Sequence, residues 1–259
     1  MDAPTTQRWA LCLEYDGGPF VGWQRQAGGL SVQQVLEDAA AKLARGGAVS
    51  TVVAGRTDAG VHAAGQVAEL MLAAALAPER LREALNYHMK PYPVAVLAAA
   101  RAPEGWSARF SAVRRCYRYV ILNRRARPAL DHGRVWHVPA PLDVTAMQEA
   151  AQFLVGRHDF TSFRAAACQA NSPLRTLDRL EVRREGERVV IEAEARSFLH
   201  HQVRNMVGTL KLVGQGSWSV ARVGEALAAR ERSAAGPTAP ADGLMLMRVV
   251  YPTALEPFG

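Results

Sequence analysis

The stretch Gly55-Arg56-Thr57-Asp58-Ala59-Gly60-Val61-His62-Ala63 gathers a carboxylate, a guanidinium, a hydroxyl and an imidazole among small residues. Read alone, Thr-Asp-Ala-Gly is a turn whose Asp bonds its own backbone. The flanking glycines also let a flat ligand approach the backbone closely. A carboxylate in such a loop can act as a nucleophile or as a base, and the two roles ask for the same anion in the same place. Two further stretches are rich in Arg and aromatic residues. Ser107-Ala108-Arg109-Phe110-Ser111-Ala112 leads through Arg114 and Arg115 into Tyr117-Arg118-Tyr119. On a strand that spacing sets both tyrosines on one face and Arg118 on the other, as a core Tyr pair with a solvated Arg would also be. In Phe198-Leu199-His200-His201-Gln202-Val203-Arg204-Asn205-Met206-Val207-Gly208, Arg204 falls on a helix with an otherwise apolar face. A cation there either seeks an anion or snorkels into solvent.

These stretches need elements to hold them. Trp9, Leu11, Leu13 and Tyr15 alternate as one face of a strand, ended by the turn Asp16-Gly17-Gly18-Pro19. Ser31 and Gln34 make a capping box before a helix carrying Val32, Val35, Leu36, Ala39, Ala40 and Leu43, stopped by Gly46-Gly47. A strand over Gln66–Leu72, a helix over Pro78–His88 and an extended segment over Val94–Ala100 complete the first half. In the second half, strands are expected at Tyr117–Leu122, Leu180–Arg184, Arg188–Arg196 and Leu244–Val250. Helices are expected from Asp143 to Leu154, from His201 to Val213 and from Val220 to Arg230. Strands mixed with helices in two halves predict an α+β protein with helices over a sheet. Disorder is expected only in the first few residues and in the Ala/Pro-rich stretch Ser233–Ala241.

The chain has 259 residues, with 31 Lys plus Arg against 24 Asp plus Glu and a net charge of +7. The basic residues are nearly all Arg, with Lys only at Lys42, Lys90 and Lys211. Guanidinium forks suit phosphates and bases, although a high-GC genome favours Arg regardless of function. Cys12, Cys116 and Cys168 are far apart, which excludes a zinc-type pair and a disulfide framework and predicts small buried hydrophobes. No apolar run approaches the roughly 18–20 residues of a membrane span. Met1–Thr6 has no basic region before an apolar core, so neither a signal peptide nor a membrane is expected, and the location expected is cytoplasmic.

Taken together, the stretches resemble the tRNA pseudouridine synthase A family. The likeness is carried by Glu14-Tyr15-Asp16-Gly17, Gly22-Trp23-Gln24-Arg25-Gln26, Ala54 through His62, Ala108-Arg109-Phe110-Ser111-Ala112 and Tyr117-Arg118-Tyr119. It continues in His158-Asp159-Phe160-Thr161-Ser162-Phe163-Arg164-Ala165, Val203 through Gly208 and Gly243-Leu244, in the family's order from Trp9 to Tyr251. Trp106-Ser107, Lys90-Pro91-Tyr92-Pro93, Gln202 and Met245 depart from the family's usual residues without removing a catalytic group.

The resemblance implies conversion of uridine to pseudouridine at positions 38, 39 and 40 of the tRNA anticodon arm, by a homodimer. No atom is gained or lost, so no redox cofactor, nucleotide cofactor or metal is implied. It implies two similar α/β halves around a mixed, mainly antiparallel central sheet, with helices on the outer face and the active-site cleft between the halves. Residues 1–105 would carry the catalytic Asp loop, and residues 106–259 the Tyr strand and the Val-Arg-Asn helix. Asp58 corresponds to the catalytic carboxylate, Tyr117 to the ring that packs on the target base, and Arg204 to the basic residue that pairs with the carboxylate. Arg56 corresponds to the residue that fills the space left by the flipped base, and Leu244 to the apolar floor. Arg25, Arg109 and Arg164 are expected at phosphates.

Overall fold

The computed structural model describes residues 6–44, 49–73 and 76–258. The expected Gly46-Gly47 helix stop and the expected disorder of residues 1–5 lie outside the described residues. In chain order the elements are β1 (Gln7–Tyr15), α1 (Val32–Leu43), β2 (Thr51–Val53), β3 (His62–Leu72), α2 (Pro78–His88), β4 (Val94–Arg101) and β5 (Arg114–Leu122). Then come β6 (Trp136–His137), α3 (Val144–Gln152), β7 (Gly156–Asp159), β8 (Leu174–Glu185), β9 (Arg188–Ala195), α4 (Gln202–Gly214), α5 (Ala221–Ala229) and β10 (Leu244–Val250). The α+β class is as expected. The short strands β2, β6 and β7 were not expected, because so few residues carry no readable period. β3 begins at His62 rather than Gln66, directly behind the Asp58 loop. β8 begins well before Leu180. Its register slips between Leu177 and Arg179, and that irregularity breaks the alternation that would have marked its first half.

The chain forms two compact units, Met1–Arg115 with Leu246–Gly259, and Cys116–Met245.

In the first unit β1 lies between antiparallel β3 and β4, β2 pairs with β3, and β3 also neighbours β10. Trp9, Leu11, Leu13 and Tyr15 are buried on one face of β1 as the alternation predicts. Each such side chain contributes about 1.5–3 kcal/mol by leaving water. On the opposite face Ala10 is buried too, between exposed Arg8 and Glu14. Ala10 and Val67 lie in a second apolar cluster with Ala54, Trp106, Ala108, Ala112 and Tyr251. On α1, Val32, Val35, Leu36, Ala39 and Ala40 form the buried stripe, and the Ser31 hydroxyl caps the helix by accepting from Gln34 N at 3.2 Å. Glu37 breaks that stripe yet is buried, because its Oε1 accepts from Thr51 N and Thr51 Oγ1, each at 3.0 Å. It thereby fixes the start of β2.

In the second unit β9 lies between β5 and β8, β7 pairs antiparallel with β8, and β6 runs parallel to β5. The described pairing is therefore mixed and mainly antiparallel. α3 packs on β8 and α4, and its cap is Asp143, whose Oδ1 accepts from Ala146 N at 3.0 Å. Arg118 donates to Glu192 at 2.7 Å, and Arg179 and Arg183 reach the same carboxylate. Burial raises the Glu192 carboxyl, but hydrogen bonds from Arg118 and Arg183 outweigh it and hold it below the usual range.

The stretch Ser233–Ala241, expected to be disordered, is strapped to α4. Arg232 donates to Asn205 Oδ1 at 3.2 Å, Thr238 Oγ1 donates to the same oxygen at 2.6 Å, and Gly236 N donates to Thr209 Oγ1 at 2.9 Å. A glycine on α4 lets the two backbones touch, since a Cβ on Gly208 would stand 1.8 Å from Pro237 O. Of the cysteines, Cys116 is buried as expected, whereas Cys12 and Cys168 are only partly so.

Candidate active site

Asp58 sits half-buried on the loop between β2 and β3. The loop turns at once, with Asp58 O accepting from Val61 N at 3.1 Å and Gly60 supplying the positive φ of 78° that the turn needs. It is clamped by the segment between β1 and α1. Trp23 N donates to Thr57 O at 3.0 Å, and Gly60 N donates to Phe20 O at 3.3 Å. Gly17 and Gly22 allow this approach. A Cβ on Gly17 would lie 2.2 Å from Val61 O, and one on Gly22, at φ 105°, 2.7 Å from Thr57 O. The clamp is held in turn by the first turn of α1, whose otherwise unpartnered Val32 and Gln33 N–H groups donate to Gly22 O and Trp23 O at 3.2 and 2.9 Å.

Beneath the loop lies a buried polar chain. Tyr15 OH and Thr57 Oγ1 are 2.8 Å apart, while Gln66 Nε2 donates to Tyr15 OH at 3.3 Å and to Gly55 O at 2.7 Å. Burial pushes the Tyr15 phenol up to about 12, against the opposing hydrogen bonds of Thr57 and Gln66. His62 lies at the far end of the loop, with its Nδ1 3.0 Å from Gly17 N and 3.1 Å from Asp16 Oδ1. Tyr15, Gln66 and Asp16 were not singled out for this task by sequence. Their signal was the coincidence of Glu14-Tyr15-Asp16-Gly17 with a strand end, which shows no partner.

Of the arginines expected in the first unit, Arg56 is exposed on the loop. Arg25 is half-exposed, and its guanidinium lies 3.6 Å from Glu37 and 3.5 Å from Asp38 of α1. Arg109 is exposed and lies over the Phe110 ring at 5.5 Å. Arg115 is the buried one. It donates to Ala54 O, Arg109 O and Ala112 O at 2.6, 2.8 and 3.1 Å, which ties the Arg109 turn to the root of the Asp58 loop.

In the second unit Tyr117 stands on β5 with Phe198 edge-on to its ring at 5.3 Å. Phe198 opens a tight turn into α4. Leu199 N donates to Gln202 Oε1 at 2.8 Å, and His201 caps the helix at a φ of 62°. Gln202, which departs from the family's usual residue, therefore closes that turn. Arg204 follows on the first turn of α4, where its Nε donates to Ala239 O at 2.8 Å. Arg164 lies half-buried beyond a 3-10 turn, Thr161–Phe163, that is joined to α4 by Asn205 Nδ2 donating to Phe163 O at 2.8 Å. Leu244 is buried at the start of β10, and the preceding Gly243 lies flat against the Tyr119 ring.

The first unit holds a clamped carboxylate loop and the second a Tyr-bearing strand and an Arg-bearing helix, and the class of protein that carries them is the pseudouridine synthases, RNA-modifying isomerases. The family described as tRNA pseudouridine synthase matches at residues 11–111 and 150–252, and the chain belongs to that family. It is 72% identical over 97% of its length to a tRNA pseudouridine synthase A of Acidiphilium cryptum, 98% of which is covered. It is 60% identical over 95% of its length to the protein of that name from Rhodospirillum centenum, covered completely at 100%. A solved Cbf5-Nop10-Gar1 complex aligns with 92% of this chain and 48% of its own at 11% identity and a TM-score of 0.37, too distant a likeness to argue from.

Proposed function

We propose that this chain isomerises uridine to pseudouridine at positions 38, 39 and 40 of the tRNA anticodon arm, with Asp58 as its catalytic carboxylate. The supporting observation is the position of Asp58 within a loop clamped by the segment between β1 and α1, in a chain of this family. Preorganisation of that kind suits a group that must meet one carbon atom of a substrate. The carboxylate either attacks the ribose C1′ or takes the C2′ proton, and the freed base rejoins through C5. Atoms balance without a cofactor, because the C5 proton lost equals the N1 proton gained.

Tyr117 packs on the uracil ring over the apolar side chain of Leu244, and such stacking is worth about 1–3 kcal/mol per base. Arg204 pairs with Asp58 and keeps it charged and oriented. Arg56 occupies the space that the flipped nucleotide leaves, since the scissile bond is hidden in a stacked stem. Arg25, Arg109 and Arg164 meet phosphates. For Arg25 this means sharing its guanidinium between RNA and the α1 carboxylates. Residues 1–105 then supply the carboxylate half and residues 106–259 the Tyr and Arg half of the site. The enzyme acts as a homodimer in the cytoplasm. Among the described residues no helix is long and apolar enough to cross a membrane.

The test is tritium release from C5-labelled uridine in unmodified tRNA, with Asp58→Asn beside the wild type. Stoichiometric release by the wild type, none by the variant and unchanged tRNA binding are expected. Release by the variant removes Asp58 from its role. Loss of mass from the product RNA would make the enzyme a glycosidase instead.

A further inference from the structure

We propose that the hollow at the ends of β7 and α5 is a subsite for the RNA phosphodiester backbone, built by Arg157 and Arg230 about Asp159. It rests on the tRNA reading above and extends it to a place that the reaction itself does not use. The hollow measures about 580 Å³ and is lined by Arg157, His158, Asp159, Ser172, Leu174 and Arg230, among others.

Charge gives the first argument. Arg230 and Arg164 both act on the single Asp159 carboxylate, and Arg157 stands beside them. Asp159 is already engaged, since its Oδ1 accepts from Thr161 N at 2.9 Å and from Thr161 Oγ1 at 2.6 Å. Arg230 lies 3.7 Å from Oδ2, beyond hydrogen-bond distance, with its side chain 69% exposed. Arg157 is exposed, and no side-chain hydrogen bond or ion pair to it is found among the described residues. Two guanidinium charges thus exceed the local acid, with donors turned to solvent. The Ser172 hydroxyl accepts from Leu174 N at 3.2 Å and keeps its own proton to give.

Rigidity gives the second. Asp159 caps the Thr161–Phe163 turn, Ser162 Oγ within that turn accepts from Glu231 N at 2.9 Å, and Phe160 N donates to Pro173 O at 3.1 Å. The walls are therefore fixed to one another before a ligand arrives, which limits the ordering entropy of binding. Arg230 itself has φ 52° and ψ 36°, a conformation in which glycine would be easier. Forked donors around a wide, open hollow fit phosphate oxygens of a chain passing across, since guanidinium pairs with them bidentately.

The test measures tRNA affinity by fluorescence anisotropy over a range of KCl for the full-length wild type and for R157A/R230G. Glycine relieves the positive φ at 230, and Arg157 has no side-chain partner to lose, so thermal stability should not fall. The expected result is a Kd about tenfold higher near 0.1 M salt. The slope of log K against log salt should fall by about one to two, as each phosphate contact contributes nearly one unit. The single-turnover rate on saturating tRNA should be unchanged, and R157K/R230K should restore most of the slope. Wild-type affinity and slope in R157A/R230G, with isomerisation intact, would overturn the subsite alone. Weakened binding of polyglutamate with tRNA binding untouched would also overturn it, in favour of an acidic protein partner. A wild type that neither binds nor modifies tRNA removes the proposed function, and the subsite with it.

Discussion

Tyr15→Phe deletes one oxygen from beneath the Asp58 loop and leaves the ring, which is only 4% exposed, in place. Thr57 Oγ1, 2.8 Å away and itself buried, loses that contact, while Gln66 Nε2 keeps Gly55 O at 2.7 Å. Stranding a buried hydroxyl costs about 1–3 kcal/mol. For a chain of this size a loss near 2 kcal/mol lowers Tm by about 4–8 °C. Catalysis should fall as well, because Thr57 precedes Asp58 directly and a misplacement on the order of 1 Å can cost about a hundredfold. We expect a single-turnover rate about 5- to 100-fold lower in Tyr15→Phe and Thr57→Val, with tRNA Kd within threefold of wild type and rescue in Thr57→Ser. The two deletions share one hydrogen bond, so Y15F/T57V should be less destabilised than the sum of the singles by about 1 kcal/mol. Should Tm drop by the expected amount while the rate stays within twofold, the hydroxyl supports the fold without positioning the carboxylate, and the reasoning fails.

The same phenol sets an alkaline limit. A proton held more tightly in the folded chain than in the unfolded one stabilises the fold fully below the unfolded value near 10, and that contribution is lost as pH rises to about 12. That difference in proton affinity corresponds to about 3 kcal/mol. Urea unfolding between pH 9 and 12 should show the decline. Burial also raises Tyr119 and Tyr251, which steepens it. The decline should be shallower in Tyr15→Phe, and equal slopes would remove Tyr15 from the account. Gly22→Ala forces a Cβ to 2.7 Å from Thr57 O at a φ of 105°, so it should lower Tm by several degrees and the turnover rate by at least about tenfold. Gly28→Ala, where a Cβ meets nothing within 4 Å, should leave both unchanged. Equal effects of the two substitutions would show that the clamp does not depend on close approach.

Local chemistry made much of this protein readable without coordinates. Ser31 and Asp143 cap the helices that their sequence positions announce, and the alternation from Trp9 to Tyr15 marks β1, because caps and period are properties of a few consecutive residues. The same holds for the loop around Asp58 as a place dense in reactive groups. Tertiary structure alone decided which segment clamps that loop, that Ala10 joins a second core around Trp106, and that Glu37 is buried to fix β2. It also turned Ser233–Ala241 into a strap on α4, and gave Arg25 and Arg118 carboxylates to hold. Each of these outcomes depends on a partner brought in by folding. A residue's own neighbours in sequence specify its backbone, whereas its burial and its bonds depend on what the rest of the chain delivers to it.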